Sequence, residues 1–129
     1  FFGWHIKRDR QAALKEARRE IAIRGRELHN EFISHLLSPE QCQVVRDNYP
    51  AFMQAWWDRS GDIKGVPDEI VLPLIHGMTA TGDLNDLERE IERFRSFGSQ
   101  GLTEISLRLH DEPMEALKII GERVVPALR

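Results

Sequence analysis

The sequence predicts an α/β fold built on parallel strands. Its last third alternates between the two patterns: a short strand at residues 78–81, a helix with an apolar stripe, an alternating strand at residues 105–109 and a closing helix. This order is typical of parallel strands joined by right-handed crossovers. Because a length of 129 residues suits one domain, we expect a single domain over residues 1–129.

The first predicted elements are a strand and an amphipathic helix. The run Phe1–Ile6 is rich in aromatic and β-branched residues and stops at the polar run Lys7–Arg10. Apolar residues then recur at helical spacing through Gln11–Ile23, and Gly25 ends that pattern. We therefore expect a strand followed directly by a helix.

The segment at about residues 26–77 is predicted to be a helical insertion. Residues 28–36 indicate a weaker helix or an ordered loop. Ser38–Gln41 combines an N-cap serine, an early proline and a capping-box glutamine, which together predict a helix start. Pro50 lies inside the apolar stripe that follows, so we expect a kink or two short helices. Pro67–Glu69 predicts the start of a further helix, which Gly77 should end.

The closing strand and helix have the clearest pattern in the chain. Asp83 is placed to cap the helix that precedes this strand. Residues Ile105–Leu109 alternate strictly between apolar and polar side chains, which indicates a strand with two different faces. The apolar members should face the helices, and Arg108 should face the opposite side. Asp111–Pro113 then predicts the start of the last helix.

Charge and composition argue against several classes of function. The formal net charge is −3, with 18 basic and 21 acidic residues, so binding to nucleic acid by phosphate neutralisation is not expected. No apolar run approaches the roughly 20 residues that span a bilayer, and the histidines lack metal-ligand spacing. The lone Cys42 cannot form an internal disulfide. It fits a cytoplasmic protein, and we interpret it as a packing residue.

Two segments near the end of the chain, Gly101–Pro113 and Ile120–Arg129, carry its most specific motifs. The first resembles the final strand and loop of luciferase-like monooxygenases, and the second is similar to that family's C-terminal Gly-Glu-x-Val-x-Pro-Ala-Leu-Arg motif. Thr81–Leu84 stands where the family has Gly-Thr-Pro-Glu, with Gly82 retained and Asp83-Leu84 in place of Thr-Pro. Phe2–Ile6 resembles the sixth strand of the family.

The resemblance implies a TIM-type (βα)8 barrel that uses FMN or the deazaflavin coenzyme to oxidise or reduce a small organic substrate, often as a homo-oligomer. A full barrel needs about 250 residues. The chain would therefore supply the C-terminal βα units, about strands six to eight, and Phe1 would not be the natural start. Because three strands cannot close a barrel, we expect the C-terminal part of a flavin- or deazaflavin-dependent oxidoreductase that is inactive alone.

The candidate site residues lie at the C-terminal ends of the predicted strands, where barrel enzymes gather their functional groups. His5 and His110 are candidate catalytic residues, because an imidazole exchanges protons near neutral pH. By the resemblance, Thr81 and Gly82 are candidate cofactor-binding residues. Arg108 joins them, because a guanidinium could hold an anion. Alternation predicts that His5, either Thr79 or Thr81, and Arg108 face one cavity.

Each of these residues also has a purely structural interpretation. Arg108 could pair with Glu104, His5 could be a satisfied interior histidine, and His110-Asp111 could cap the last helix. Two functions of another class also remain open. One is a non-catalytic oligomeric α/β fragment, and the other is a helical protein-interaction module that uses the Trp56-Trp57 pair.

Overall fold

The computed structural model describes residues 2–24 and 28–129, and these residues divide into two compact units. The sheet unit contains the described residues up to Leu14 together with Thr79–Arg129. The helical unit contains the described residues of Lys15–Met78. The elements in chain order are β1 (Phe2–Ile6), α1 (Arg10–Glu20), α2 (Asn30–Ile33), α3 (Pro39–Asp47), α4 (Tyr49–Trp57), α5 (Asp68–Met78), β2 (Thr79–Gly82), α6 (Leu87–Ser99), β3 (Leu107–Arg108), α7 (Pro113–Ile119) and α8 (Val125–Leu128).

The three strands form a parallel sheet, which confirms the α/β class and the predicted parallel strands. The strand order is β2–β1–β3, so the first strand is central. Strands six to eight of a barrel would instead place the second strand in the centre, so this order differs from the one that the resemblance implies. The third strand is also shorter than predicted, with two residues instead of 105–109.

The sheet has one apolar and one polar face, as the alternation predicts. Apolar side chains of all three strands, and of Leu109 just after β3, belong to one core with α6, α7 and α8; the strand members include Trp4, Ile6, Ala80 and Leu107. The register pairs Gly3 with both Thr79 and Arg108, and His5 with Thr81. Paired residues in a parallel sheet share a face, so these five residues lie on the polar side.

Two arginines of α6 bind carbonyls at the outer edge of β2, which agrees with the strand order. Lys7 N–H donates to the Gly82 carbonyl, so the carbonyls of Thr79 and Thr81 point away from β1. Arg93 donates to the first of these at 3.2 Å and Arg89 to the second at 3.2 Å. That edge is thus occupied, and β3 pairs along the free side of β1.

A buried carboxylate holds this arginine pair in place. Glu90 is only 2% exposed. It lies 2.8 Å from the Arg89 guanidinium and 3.5 Å from that of Arg93. The Arg93 guanidinium also stacks on the Phe2 ring at 4.8 Å. A buried carboxylate with two guanidinium partners is compensated, so Glu90 contributes to the edge rather than opposing it.

The cap predicted at Ser38 is confirmed, and Asp83 is confirmed as a cap of a short 3-10 turn rather than of α6 itself. The Ser38 hydroxyl accepts a hydrogen bond from the Gln41 N–H, and the Ser38 N–H donates one to the Gln41 side chain. These two bonds complete the predicted capping box. Asp83 caps a short 3-10 turn that leads into α6, and the Asp83 N–H donates a hydrogen bond to the Asp86 carboxylate. Asp9 accepts from the Gln11 N–H at 3.0 Å at the start of α1. Local side-chain chemistry therefore contributes to each of these starts.

The helical unit has its own core, which includes Val45, Phe52, Val71 and Leu74. The interruption expected at Pro50 is present as two helices, α3 and α4. The expected end of the next helix at Gly77 is wrong, because α5 runs through Met78 with Pro73 inside it. The predicted helix end at Gly25 lies outside the described residues. The single domain with an insertion at about residues 26–77 stays a prediction.

Candidate functional site

The strand order defines a specific location for a site. In a β2–β1–β3 sheet the order reverses between β1 and β3, as it does in doubly wound α/β folds. In such sheets ligands bind outside the carboxyl ends of the strands, at the point where the order reverses. The carboxyl end of β1 leads to Lys7, and that of β3 leads to His110. We call this region the switch-point edge.

Two histidines stack at the switch-point edge. The rings of His5 and His110 have centroids 5.4 Å apart and planes inclined by 12°. His5 is buried at 2% exposure, and His110 is half-buried. The structure thus brings together the two candidate catalytic residues, which lie in β1 and in the loop after β3, near opposite ends of the chain. Only His110 of the pair has substantial access to solvent, so it is the member that a ligand could touch.

Ionic contacts join the loops that follow β1 and β3. Lys7 Nζ donates to the Asp111 carbonyl at 3.0 Å and lies 3.8 Å from the Glu112 carboxylate. Arg8 Nε lies 2.6 Å from a Glu115 carboxylate oxygen. These contacts fix the loop that carries His110 relative to the end of β1.

The loop after His110 contains an unusual backbone conformation. Glu112 has φ 57° and ψ 52°, in the left-handed region that glycine favours. The predicted capping role of Asp111 is wrong, because Glu112 holds the N-cap position and makes no side-chain capping bond. Non-glycine residues in this conformation cost of order 1–3 kcal/mol and concentrate at ligand sites. The strained residue Glu112 therefore lies two residues after His110, in the loop that carries the stacked pair's half-buried member.

The polar face beneath the stacked pair is tightly filled. The hydroxyls of Thr79 and Thr81 bond each other at 2.7 Å, and both side chains are buried. Gly3 is required here, because an added Cβ would lie 2.9 Å from Thr79 Cγ2 and 3.0 Å from His5 Nε2. The absence of a side chain at residue 3 therefore leaves room for the His5 ring.

The remaining predicted residues lie in different surroundings. Gly82 has φ 152°, and an added Cβ would collide with the Asp86 carboxylate. That carboxylate also lies 2.7 Å from Arg10, which in turn contacts Asp83 at 3.0 Å. Gly82 and the fully buried Thr81 are thus enclosed, whereas Arg108 is exposed. Their roles in binding a cofactor stay predictions.

Electrostatics favour the ionised form of the Asp83 carboxyl in this region. The hydrogen bond from the Asn85 N–H lowers the pKa of Asp83, and the Arg10 guanidinium lowers it further.

The alternative interpretation of Arg108 as a partner of Glu104 is not supported, because within the described residues Glu104 makes no ion pair or hydrogen bond.

Two features of the site were not selected from the sequence. Gly3 had a usable signal, since a glycine inside an aromatic strand often marks a close approach. Glu112 had no such sequence signal, because glutamate does not favour the left-handed region.

Across the residues that the structure describes, no group of three or more His, Cys, Asp and Glu side chains could hold a metal ion. In the same part of the chain, every helix is too short or too polar to cross a bilayer.

Comparison with known proteins adds no family assignment. No protein-family model matches the chain, and neither the curated proteins nor the solved structures provide a match. The resemblance to luciferase-like monooxygenases therefore stays a prediction from the sequence motifs.

Proposed function

We propose that this chain is the C-terminal part of a flavin- or deazaflavin-dependent oxidoreductase acting on a small organic substrate, with the cofactor at the switch-point edge. The observation that carries the proposal is the stacking of His110 on His5 at the carboxyl ends of two parallel strands. Ligands of open α/β sheets bind at this position. An open sheet with such an edge does not need a closed barrel to form a crevice, so the order β2–β1–β3 is compatible with the proposal.

His110 at this edge and Arg108, two residues before it on β3, have the chemistry that such a cofactor needs from a protein. A flavin-type group needs a cation for its phosphate and polar groups for its ring edge, and it supplies the redox chemistry itself when bound. Arg108 is an exposed cation, and the half-buried His110 can donate or accept a proton. His5 and Thr81 are buried, so we assign them a supporting role beneath His110 rather than direct contact.

A binding titration of the purified chain tests this proposal. FMN and the deazaflavin coenzyme are each titrated with the chain, and their fluorescence is followed. We expect saturable binding of one of them, weakened about tenfold in His110→Ala through the lost hydrogen bond. His35→Ala is the matched control, because His35 is an exposed histidine of the helical unit. Failure of both cofactors to bind, or equal loss in both variants, would contradict the proposal.

A second candidate is a non-catalytic protein that associates through α4. Trp57 is 77% exposed, and Tyr49 and Met53 lie beside it around a shallow depression. Large exposed apolar patches mark interaction surfaces. Trp56 instead packs against the helical core, so only Trp57 can be replaced without affecting the fold. If this candidate holds, sedimentation velocity should show an oligomer for the native chain and a monomer for Trp57→Ser.

A further inference from the structure

The sheet unit contains an apolar groove away from the switch-point edge. The groove has a volume of about 470 Å³ and lies between α6, the extended segment before β3 and the closing helices. Phe94 and Val124, both buried, form part of its lining. Leu102, Val125 and Leu128 also line it and are 50%, 39% and 43% exposed. A volume of this size lies within the range of small-molecule sites.

An irregular turn of the closing helix forms one side of this groove. The turn Ile120–Val124 between α7 and α8 is a π-helix, and both of its end residues line the groove. Pro126 follows it and lacks an N–H, so a regular helical bond is missing there. Arg95 holds α8 in place by donating to the Ala127 carbonyl at 3.0 Å. Single π turns inside helices occur frequently at functional sites.

The charge at the groove is negative and unpaired. Arg95 also lines the groove, but its guanidinium already has partners in the Glu92 carboxylate, at 2.8 Å, and the Ala127 carbonyl. Glu104 lines the same groove and is exposed. Among the residues that the structure describes, Glu104 forms no hydrogen bond or ion pair. Its carboxylate is therefore available to a cation whose apolar part occupies the groove.

We propose that this groove binds a lipophilic amine, with the apolar body against Leu102, Val125 and Leu128 and the ammonium group at Glu104. The apolar lining selects the body of the ligand, and the unpaired carboxylate selects the sign of its charge. This site is independent of the cofactor site proposed above, because no residue of the stacked pair lines the groove.

Isothermal titration calorimetry of the full chain with three matched ligands tests the charge preference. Decylamine, decanol and decanoate share one alkyl length and are used below their micellar concentrations. We expect decylamine to bind about threefold more tightly than decanol, as for an exposed ion pair, and decanoate to bind most weakly. Glu104→Gln should abolish the preference for the amine. Glu122→Gln should keep it, because Glu122 is exposed and does not line the groove.

A second pair of variants tests the apolar contact. Leu102→Ala should weaken decylamine and decanol equally, whereas Leu117→Ala should change neither, because Leu117 is 51% exposed but lies outside the groove. Absence of decylamine binding, equal affinity for the three ligands, or retention of the amine preference in Glu104→Gln would overturn the proposal. A dimer that Leu102→Ala dissociates while decylamine fails to bind would also overturn it, and would assign the groove to a second copy of the chain.

Discussion

The imidazole of His5 lies parallel to that of His110, with 5.4 Å between centroids and 12° between planes. The space that His5 occupies exists because Gly3, on the same face of β1, has no side chain. The stacked pair also depends on the strand order, which places β3, and the loop that carries His110, beside β1. It is also the feature on which the proposed cofactor site depends.

Replacement of Gly3 by alanine should destabilise the sheet unit. The new Cβ would lie 2.9 Å from Thr79 Cγ2 and 3.0 Å from His5 Nε2, so one of these groups must move. We expect the free energy of unfolding in urea to fall by about 1–3 kcal/mol, as for other overpacked sites. Gly98→Ala is the control, since nothing lies within 4 Å of its Cβ and alanine favours the helix. Equal stability of the two variants would contradict this packing.

Gly82→Ala should be destabilising for two separable reasons. Its φ of 152° is unfavourable for alanine, and its Cβ would meet the Asp86 carboxylate. The backbone contribution alone should cost about 1–3 kcal/mol. In a double-mutant cycle, Asp86→Ala removes the collision, so Gly82→Ala should lower the free energy of unfolding by less in that background. The contribution of the unfavourable φ should remain. A cycle that shows no coupling between the two positions would contradict the described contact.

Replacement of Arg93, at the outer edge of β2, should lower the free energy of unfolding more than replacement of a surface arginine. Arg93→Met removes one partner of the buried Glu90 and the donor to the Thr79 carbonyl. We expect the free energy of unfolding to fall by about 2–4 kcal/mol. Arg123→Met should change it by less than about 0.5 kcal/mol, because its pair with Glu88 is exposed on both sides. Similar losses in the two variants would indicate that the edge is not closed as described.

Stability should fall in acid through carboxylates whose pKa the fold lowers. The hydrogen bond from the Asn85 N–H lowers the pKa of Asp83 below 3.8, and the Ser60 hydroxyl and N–H lower that of Asp58. Backbone and Ser38 hydrogen bonds lower the pKa of Glu40 below 4.5. The unfolded chain then binds more protons than the folded chain, so stability rises with pH across this range.

The stability from these carboxylates is therefore complete above their unfolded pKa values and is lost as the pH falls through the folded values. Urea unfolding between about pH 3 and pH 6 measures this slope. Asp83→Asn should flatten it, whereas Asp62→Asn should leave it unchanged, because Asp62 is exposed and makes no side-chain bond within the described residues. An unchanged slope in Asp83→Asn would contradict the cause given for its pKa.

The faces of the strands could be predicted from the sequence because alternation fixes them locally. Leu107 and Leu109 face the helices and Arg108 faces away, as the pattern at residues 105–109 indicates. The capping residues Ser38 and Asp83 were predictable for the same reason, since a cap is determined within a few residues. Local chemistry thus gave the elements and the side of the sheet on which the candidate residues lie.

The strand order could not be predicted in this way. The local pattern does not distinguish the free edge of β1 from that of β2 as the partner of β3, and the contacts of Arg89 and Arg93 at the β2 edge join residues of different elements. The resemblance to a barrel implied a different order, with β2 in the centre. The stacking of His110 on His5 follows from the observed order. The local sequence pattern therefore could not predict that the two rings lie close together.

The most direct test of the proposed site is two-dimensional NMR of the histidine side chains during addition of FMN or the deazaflavin coenzyme. We expect the imidazole signals of His5 and His110 to shift together as the cofactor saturates the switch-point edge, while those of His35 in the helical unit do not move. Histidine signals that stay unchanged at saturating cofactor, or shifts confined to His35, would contradict it.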